Sequence, residues 1–121
     1  MTGPIVIVDA ENVRRSVWPN MGREELVERC RAWGEREGLE LEVVFDGRAP
    51  DVEPAPGPTL VSSGAGSADE VIARRAAELR ATATRFWLVT SDRALRAEAG
   101  NGAERVVGGG SFARELRSRS P

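Results

Sequence analysis

The chain has 121 residues, 40% of them hydrophobic and 30% charged, with a formal net charge of −2; this suffices for one modest core and is too short for two. It contains no histidine, no tyrosine and one cysteine, and all 17 basic residues are arginine. Those counts exclude a Ser-His triad, a histidine-bound metal and an internal disulfide, leaving acid–base work to carboxylates or metal-bound water. The overall charge does not attract a polyanion, so a nucleic-acid partner needs a local arginine patch.

The first strand is expected over residues 4–8, a β-branched run buried on both faces that ends at Asp9. That run is far too short for a membrane span, and no basic segment with an apolar stretch and cleavage site precedes it, so neither membrane nor export signal is expected. The spacing of Leu26, Val27, Cys30 and Trp33 predicts a helix over 23–37 with Gly38 as its stop. Cys30 lies on the apolar stripe and reads as core, and a lone cysteine fits a reducing cytoplasm. A second strand is expected over 39–45, ending at Asp46.

Residues 46–58 carry Pro50, Pro54, Pro56 and Pro58, a spacing no helix tolerates, and read as an extended loop. A short third strand over 59–62 leads to Ser67-Ala68-Asp69-Glu70, a capping box that opens a helix to about Leu79, with Ala68, Val71, Ile72, Ala76 and Leu79 inward. A fourth strand over 85–89 ends at Thr90-Ser91-Asp92, and a short helix follows towards Ala99. A fifth strand over 105–107 precedes a final helix capped by Ser111 and running through Leu116; residues 117–121 are expected to fray. Strands alternating with amphipathic helices indicate a parallel α/β sheet covered on both faces, within one domain spanning 1–121.

Asp9, Asp46 and Asp92 each follow a strand, and in a parallel sheet those ends share the edge where ligands bind. Asp69, in the first turn of a helix entered from the third strand, lies near the same edge, and Asn12 can turn back towards it. Two carboxylates about 5 Å apart repel by roughly 3 kcal/mol at an effective dielectric near 20. An all-oxygen cluster of this kind needs a hard cation such as Mg²⁺ or Mn²⁺. Each member also has a plainer role: Asp92 as the cap of the next helix, Asp46-Gly47 as a turn pair, Asp69 as a partner of the helix dipole, and Asn12 as a cap. Arg14, Arg15, Arg48 and Arg93 follow these residues and are expected on the acidic rim, where guanidinium groups hold phosphates. Arg74, Arg75 and Arg96 read as solvated surface. Trp18 is balanced between a base-stacking platform and a half-buried anchor, whereas Trp33 and Trp87 read as core. Gly64-Ala65-Gly66 lacks the lysine of a P-loop and reads as a turn.

The ordered motifs Ile5-Val6-Ile7-Val8-Asp9-Ala10-Glu11-Asn12, Val43-Val44-Phe45-Asp46-Gly47, Ser67-Ala68-Asp69-Glu70-Val71-Ile72 and Leu88-Val89-Thr90-Ser91-Asp92-Arg93 resemble the YacP-like NYN-domain family of PIN-like ribonucleases. The resemblance covers nearly the whole chain. It implies a three-layer α/β/α PIN-like fold with a mostly parallel sheet of about five strands, and metal-dependent endonucleolytic cleavage of RNA. Carried over by position, it makes Asp9, Asp69 and Asp92 the catalytic, metal-holding carboxylates, with Asn12 and Asp46 in support and Ser91 orienting Asp92 or meeting phosphate. The family usually has Gly-Tyr where this chain has Ala10-Glu11, a loss of an aromatic and a gain of charge.

The expectation is a cytoplasmic ribonuclease with one or two Mg²⁺ or Mn²⁺ ions, acting on RNA that is free, messenger or ribosome-presented, as a monomer or homodimer. The alternative is a non-catalytic RNA-binding or regulatory domain on the same fold. A haloacid-dehalogenase-type phosphatase ranks low, because Glu11 stands where its second aspartate belongs and the chain has no lysine.

Overall fold

A computed structural model describes residues 3–52 and 57–118. Ten elements follow one another: β1 (Ile5–Asp9), α1 (Ala10–Arg15), α2 (Arg23–Glu37), β2 (Glu40–Phe45), β3 (Thr59–Ser62), α3 (Ala68–Ala81), β4 (Phe86–Val89), α4 (Arg93–Ala99), β5 (Arg105–Val107) and α5 (Gly109–Ser118). The five strands form one sheet in the order β3-β2-β1-β4-β5. All its pairings are parallel.

Side-chain alternation along the strands splits the core into two layers. Val6 and Val8 of β1, Val43 and Phe45 of β2 and Val89 of β4 meet α1, α2 and α5 on one face. Ile7, Val44, Phe86 and Leu88 meet α3 and α4 on the other. Val6, Ile7 and Val8 are fully buried, which is why β1 reads as an unbroken apolar run rather than an alternating one. The structure is thus α/β/α in three layers around an all-parallel sheet.

The helices start and stop where their chemistry directs. The Gly22 N–H donates to the Glu25 carboxylate at 3.3 Å to open α2, and Gly38 closes it with φ 69, the left-handed region that a glycine enters at little cost. The reciprocal Ser67–Glu70 capping box opens α3 as its sequence requires. Between β2 and β3 no helix forms in the described part of the proline-rich segment. Its Ala49 N–H donates to Ser62 Oγ at 2.8 Å, and Val52 packs on the α2-side core. Pro54 and Pro56 lie outside the described residues.

Three local features differ from expectation. The segment after β1, which carries no helical periodicity in the sequence, is a short helix, α1, running directly on from Asp9. α5 begins at Gly109, two residues before Ser111, so Ser111 lies within its first turn and does not cap it. The Phe112 N–H already donates to the Gly108 carbonyl at 3.0 Å, while the Gly109 N–H is met from another element by Ser91 Oγ at 2.9 Å. A cap supplied by a residue 18 positions away leaves no local sequence signal. At its other end α5 continues through Arg117 and Ser118, where fraying was expected; residues 119–121 lie outside the described residues.

In this strand order the chain leaves β1 in one direction towards β2 and β3, then returns to place β4 and β5 on the other side. The junction of β1 and β4 is therefore the topological switch point, where a crevice opens at the carboxyl ends of the strands.

Candidate functional site

A depression of about 290 Å³ opens at that edge, lined by Asp9, Glu11, Asn12, Arg15, Ser16, Asp46, Asp69 and Asp92. The four aspartates picked out in the sequence are all in it. Pairing register explains their arrangement. Asp9 lies beside Val44, so Asp46 stands two residues farther along β2, roughly 6–7 Å higher at the strand rise. Val8 lies beside Val89, which puts Thr90 level with Asp9 and Asp92 two residues beyond. The carboxylates are staggered, with Asp9 at the floor and the others around the rim.

Asp9 is only 6% exposed. Its Oδ2 accepts a hydrogen bond from the hydroxyl of Thr90, itself fully buried, at 2.9 Å. The same Thr90 oxygen accepts the Asp92 N–H at 3.1 Å, so one hydroxyl links the floor of the site to its rim. Burial pushes the Asp9 carboxyl up to about 6; the Thr90 hydroxyl and the Asn12 backbone N–H pull it down, while Asp69 and Asp46 push it further up. Asp69 is likewise raised, by burial first and then by Asp92, Asp46 and Glu98. Both shifts mark negative charge that the surrounding residues leave uncompensated.

The remaining acidic and polar residues hold the loops together. Asp46 Oδ1 accepts the Ala68 N–H at 2.8 Å, pinning the first turn of α3 to the end of β2. Asp92 caps α4, accepting the Leu95 N–H at 2.9 Å. Asn12 Oδ1 accepts the Ser91 N–H at 2.9 Å. Ser91, expected to orient Asp92 or meet phosphate, uses its hydroxyl on the Gly109 N–H and so ties β4, α1 and α5 into one corner. Gly109 is required there, because a Cβ would fall 2.0 Å from Asn12 Oδ1.

Of the four expected rim arginines the structure brings one, Arg15, to the depression; its side chain is 70% exposed and 3.8 Å from Glu11. Arg14 turns inward, donating from Nε to the Met21 carbonyl at 2.9 Å and pairing with Glu11. Arg48 lines a separate hollow beside the proline-rich segment, and Arg93 is exposed on the first turn of α4. Arg75, read as solvated, grips Glu42 through two hydrogen bonds of 2.8 Å, and Arg96 donates to the Thr90 carbonyl at 2.8 Å. Trp18 is 88% exposed rather than half-buried, whereas Trp33 is buried with its ring edge-on to Phe112. Cys30 is buried, and burial pushes its thiol up to about 12, as inert core requires.

Thr90 is the site residue that the sequence reading passed over. A fully apolar strand that ends in a hydroxyl residue beside an acidic turn carries the signal: the polar group must find a buried partner. Glu11, the departure from the family pattern, is held among Arg14, Arg15 and Arg23.

The donor set is entirely oxygen, which suits a hard divalent cation, and the raised Asp9 and Asp69 show the charge such an ion would neutralise. Among the described residues no three of these carboxylates stand close enough to form a ready-made set of ligands. A cation that retains several of its waters does not require that closeness.

The sequence matches the YacP-like NYN domain over residues 6–119. Two solved structures of Rae1 (YacP) from Bacillus subtilis share the fold. A single-site mutant superposes with a TM-score of 0.72 at 24% identity, covering 94% of this chain and 74% of that one. A second structure gives 0.71 at 23%, covering 96% and 75%. No curated protein matches the chain significantly. Among the described residues no helix is long and apolar enough to cross a membrane.

Proposed function

Because the chain belongs to the YacP-like NYN domain family, a family of RNA-related nuclease domains, we propose that it is a metal-dependent endoribonuclease whose reaction centre is the acidic depression. The observation that carries this reading is the gathering of Asp9, Asp46, Asp69 and Asp92 in one depression at the switch point of the sheet, where burial and neighbouring carboxylates raise Asp9 and Asp69. Clustered carboxyls raised in this way are characteristic of sites where a cation or a reaction uses the charge.

Asp9, Asp69 and Asp92 would hold Mg²⁺ or Mn²⁺. A divalent cation bound there would supply an activated water and neutralise the charge that develops on a phosphodiester under attack. The chain's own residues do the rest. Thr90 fixes one oxygen of Asp9, so the carboxylate does not swing when substrate arrives. Asp46 and Asn12 keep α3 and the β4–α4 turn in place, and with them Asp69 and Asp92. Arg15 offers a guanidinium at the mouth of the depression for a non-bridging phosphate oxygen. The expected setting is cytoplasmic, with RNA as substrate.

The test is incubation of end-labelled mixed RNAs with the protein in Mg²⁺, in Mn²⁺ and in excess chelator. Internal cuts that need the cation support the proposal. RNA binding with no cut under any condition assigns the chain instead to the non-catalytic RNA-binding class.

A further inference from the structure

The depression has a neighbour at the far end of α1. Ser16, at the end of that helix, also lines a second and larger groove of about 660 Å³, whose other walls are Val17, Trp18, Arg114, Arg117 and Ser118. The six residues of α1 therefore separate the acidic floor from this groove by about 9 Å of helix rise.

The groove's composition is the reverse of the depression's. None of its lining residues is acidic. Arg114 forms no ion pair among the described residues and projects from the exposed side of α5. Arg117 lies 3.7 Å from Glu25 and keeps part of its surface open. Trp18 is 88% exposed, against 3% for Trp33. An indole left in water forfeits one of the largest burial gains any side chain offers. Val17 packs against the core beneath and fixes the backbone that presents it.

An exposed ring, two arginines and an acidic reaction centre one short helix away match one kind of occupant. It must be extended and anionic, and must offer a flat aromatic face beside its charges. A duplex hides its base faces inside the stack; an unpaired strand exposes them. We propose that the groove between α1 and α5 is a single-stranded RNA subsite, in which Trp18 stacks on an unpaired base and Arg114 and Arg117 hold the adjoining phosphates. This rests on reading the depression as the place where RNA is cut. It makes the enzyme selective for unpaired RNA, because the strand must engage Trp18 to lie across Asp9.

The experiment measures affinity for a fluorescein-labelled, unstructured twelve-nucleotide RNA in chelator, in the Asp9→Asn background so that the strand stays whole. Trp18→Ala is expected to weaken binding about five- to a hundred-fold, the range for loss of one base–aromatic stack. Trp18→Phe should restore most of it, which a purely structural role for the indole would not explain. Arg114→Ala should reduce the slope of log affinity against log salt by about 0.7. A duplex of the same length should bind equally to both Trp18 forms. Unchanged single-strand affinity in Trp18→Ala and Arg114→Ala overturns the subsite and leaves the face to a protein partner. The two readings fail separately. A wild type that never cuts RNA, yet binds it in a Trp18-dependent way, loses the nuclease and keeps the subsite. A wild type that cuts, with affinity indifferent to Trp18, loses the subsite alone.

Discussion

The hydroxyl of Thr90 donates to Oδ2 of Asp9 at 2.9 Å, joining the ends of β1 and β4 across 81 residues of sequence. The two residues stand level because the parallel register of β1 and β4 pairs Val8 with Val89. This contact is at the centre of the acidic depression, and it makes the geometry of the candidate site a consequence of strand pairing rather than of any local motif.

Removing that hydroxyl should cost both stability and order at the site. Thr90→Val leaves Asp9 without its side-chain donor and the Asp92 N–H without its acceptor, at a cost of about 1–3 kcal/mol. The Asp9 carboxyl should titrate above its present value of about 6, whereas Thr90→Ser should restore both readouts. Urea unfolding and a carboxyl-detected NMR titration check the two effects.

Asp9 should also imprint a pH dependence on stability. Its carboxyl titrates at about 6 when folded against an ordinary 3.8, so the unfolded chain loses this proton first. Between those values the folded state holds the extra proton, and stability falls as pH rises through the window. The penalty is fully present above about pH 6 and absent below the unfolded value; Asp69 acts with the same sign. Glu25, held low chiefly by Arg29, acts with the opposite sign, so the difference between wild type and Asp9→Asn isolates the Asp9 contribution. Without divalent cations, Asp9→Asn should be more stable than wild type by about 3 kcal/mol at pH 8 and nearly equal to it near pH 3.5. Thermal melts across that range decide it. Millimolar Mn²⁺ should raise the wild-type Tm by several degrees and leave Asp9→Asn nearly unmoved.

The corner where α1, α5 and the turn after β4 meet has no room for a methyl group. Gly109→Ala places a Cβ 2.0 Å from Asn12 Oδ1 and should destabilise by about 1–3 kcal/mol. Because the severe clash is with Asn12, and Ser16 Oγ stands farther off at 3.1 Å, the cost should shrink in an Asn12→Ala background. A double-mutant cycle by urea unfolding measures the difference, and additive costs would contradict the assigned contact.

Asp46 should separate from the other carboxylates by chemistry. Its Oδ1 serves the Ala68 N–H, an acceptor role that an amide oxygen fills equally well. Asp46→Asn should retain stability within about 0.5 kcal/mol, while Asp46→Ala should lose about 1 kcal/mol as α3 loses a partner at its first turn. Asp69→Asn, with no such bond to preserve, should be at least as stable as wild type.

Much of this architecture was legible in the chain. The unbroken run Ile5-Val6-Ile7-Val8 can only be a strand buried on both faces, and the Ser67–Glu70 box and Gly38 mark helix ends with side-chain and backbone chemistry that acts locally. From alternating strands and helices follows a parallel sheet, and from that the gathering of Asp9, Asp46, Asp69 and Asp92 at one edge. What stayed hidden depends on partners distant in sequence. Ser91 caps α5 from another loop, so Ser111 looked like the cap. Arg14 turns to the Met21 carbonyl because α1 is a helix, which no cap or periodicity announces over six residues. The inward turn of Thr90 needs the β1–β4 register, which single-sequence patterning does not contain.

If Asp9 holds the cation on which RNA cleavage depends, replacing it alone must stop the reaction in an otherwise intact fold. Wild type and Asp9→Asn are incubated with the same end-labelled RNA in Mn²⁺, after circular dichroism and thermal melting show both to be folded. The expected result is internal cleavage by the wild type, abolished by chelator, and a loss of at least about a hundred-fold in Asp9→Asn despite its equal or greater stability. Cleavage by Asp9→Asn at the wild-type rate, or wild-type cleavage that persists in excess chelator, would contradict it.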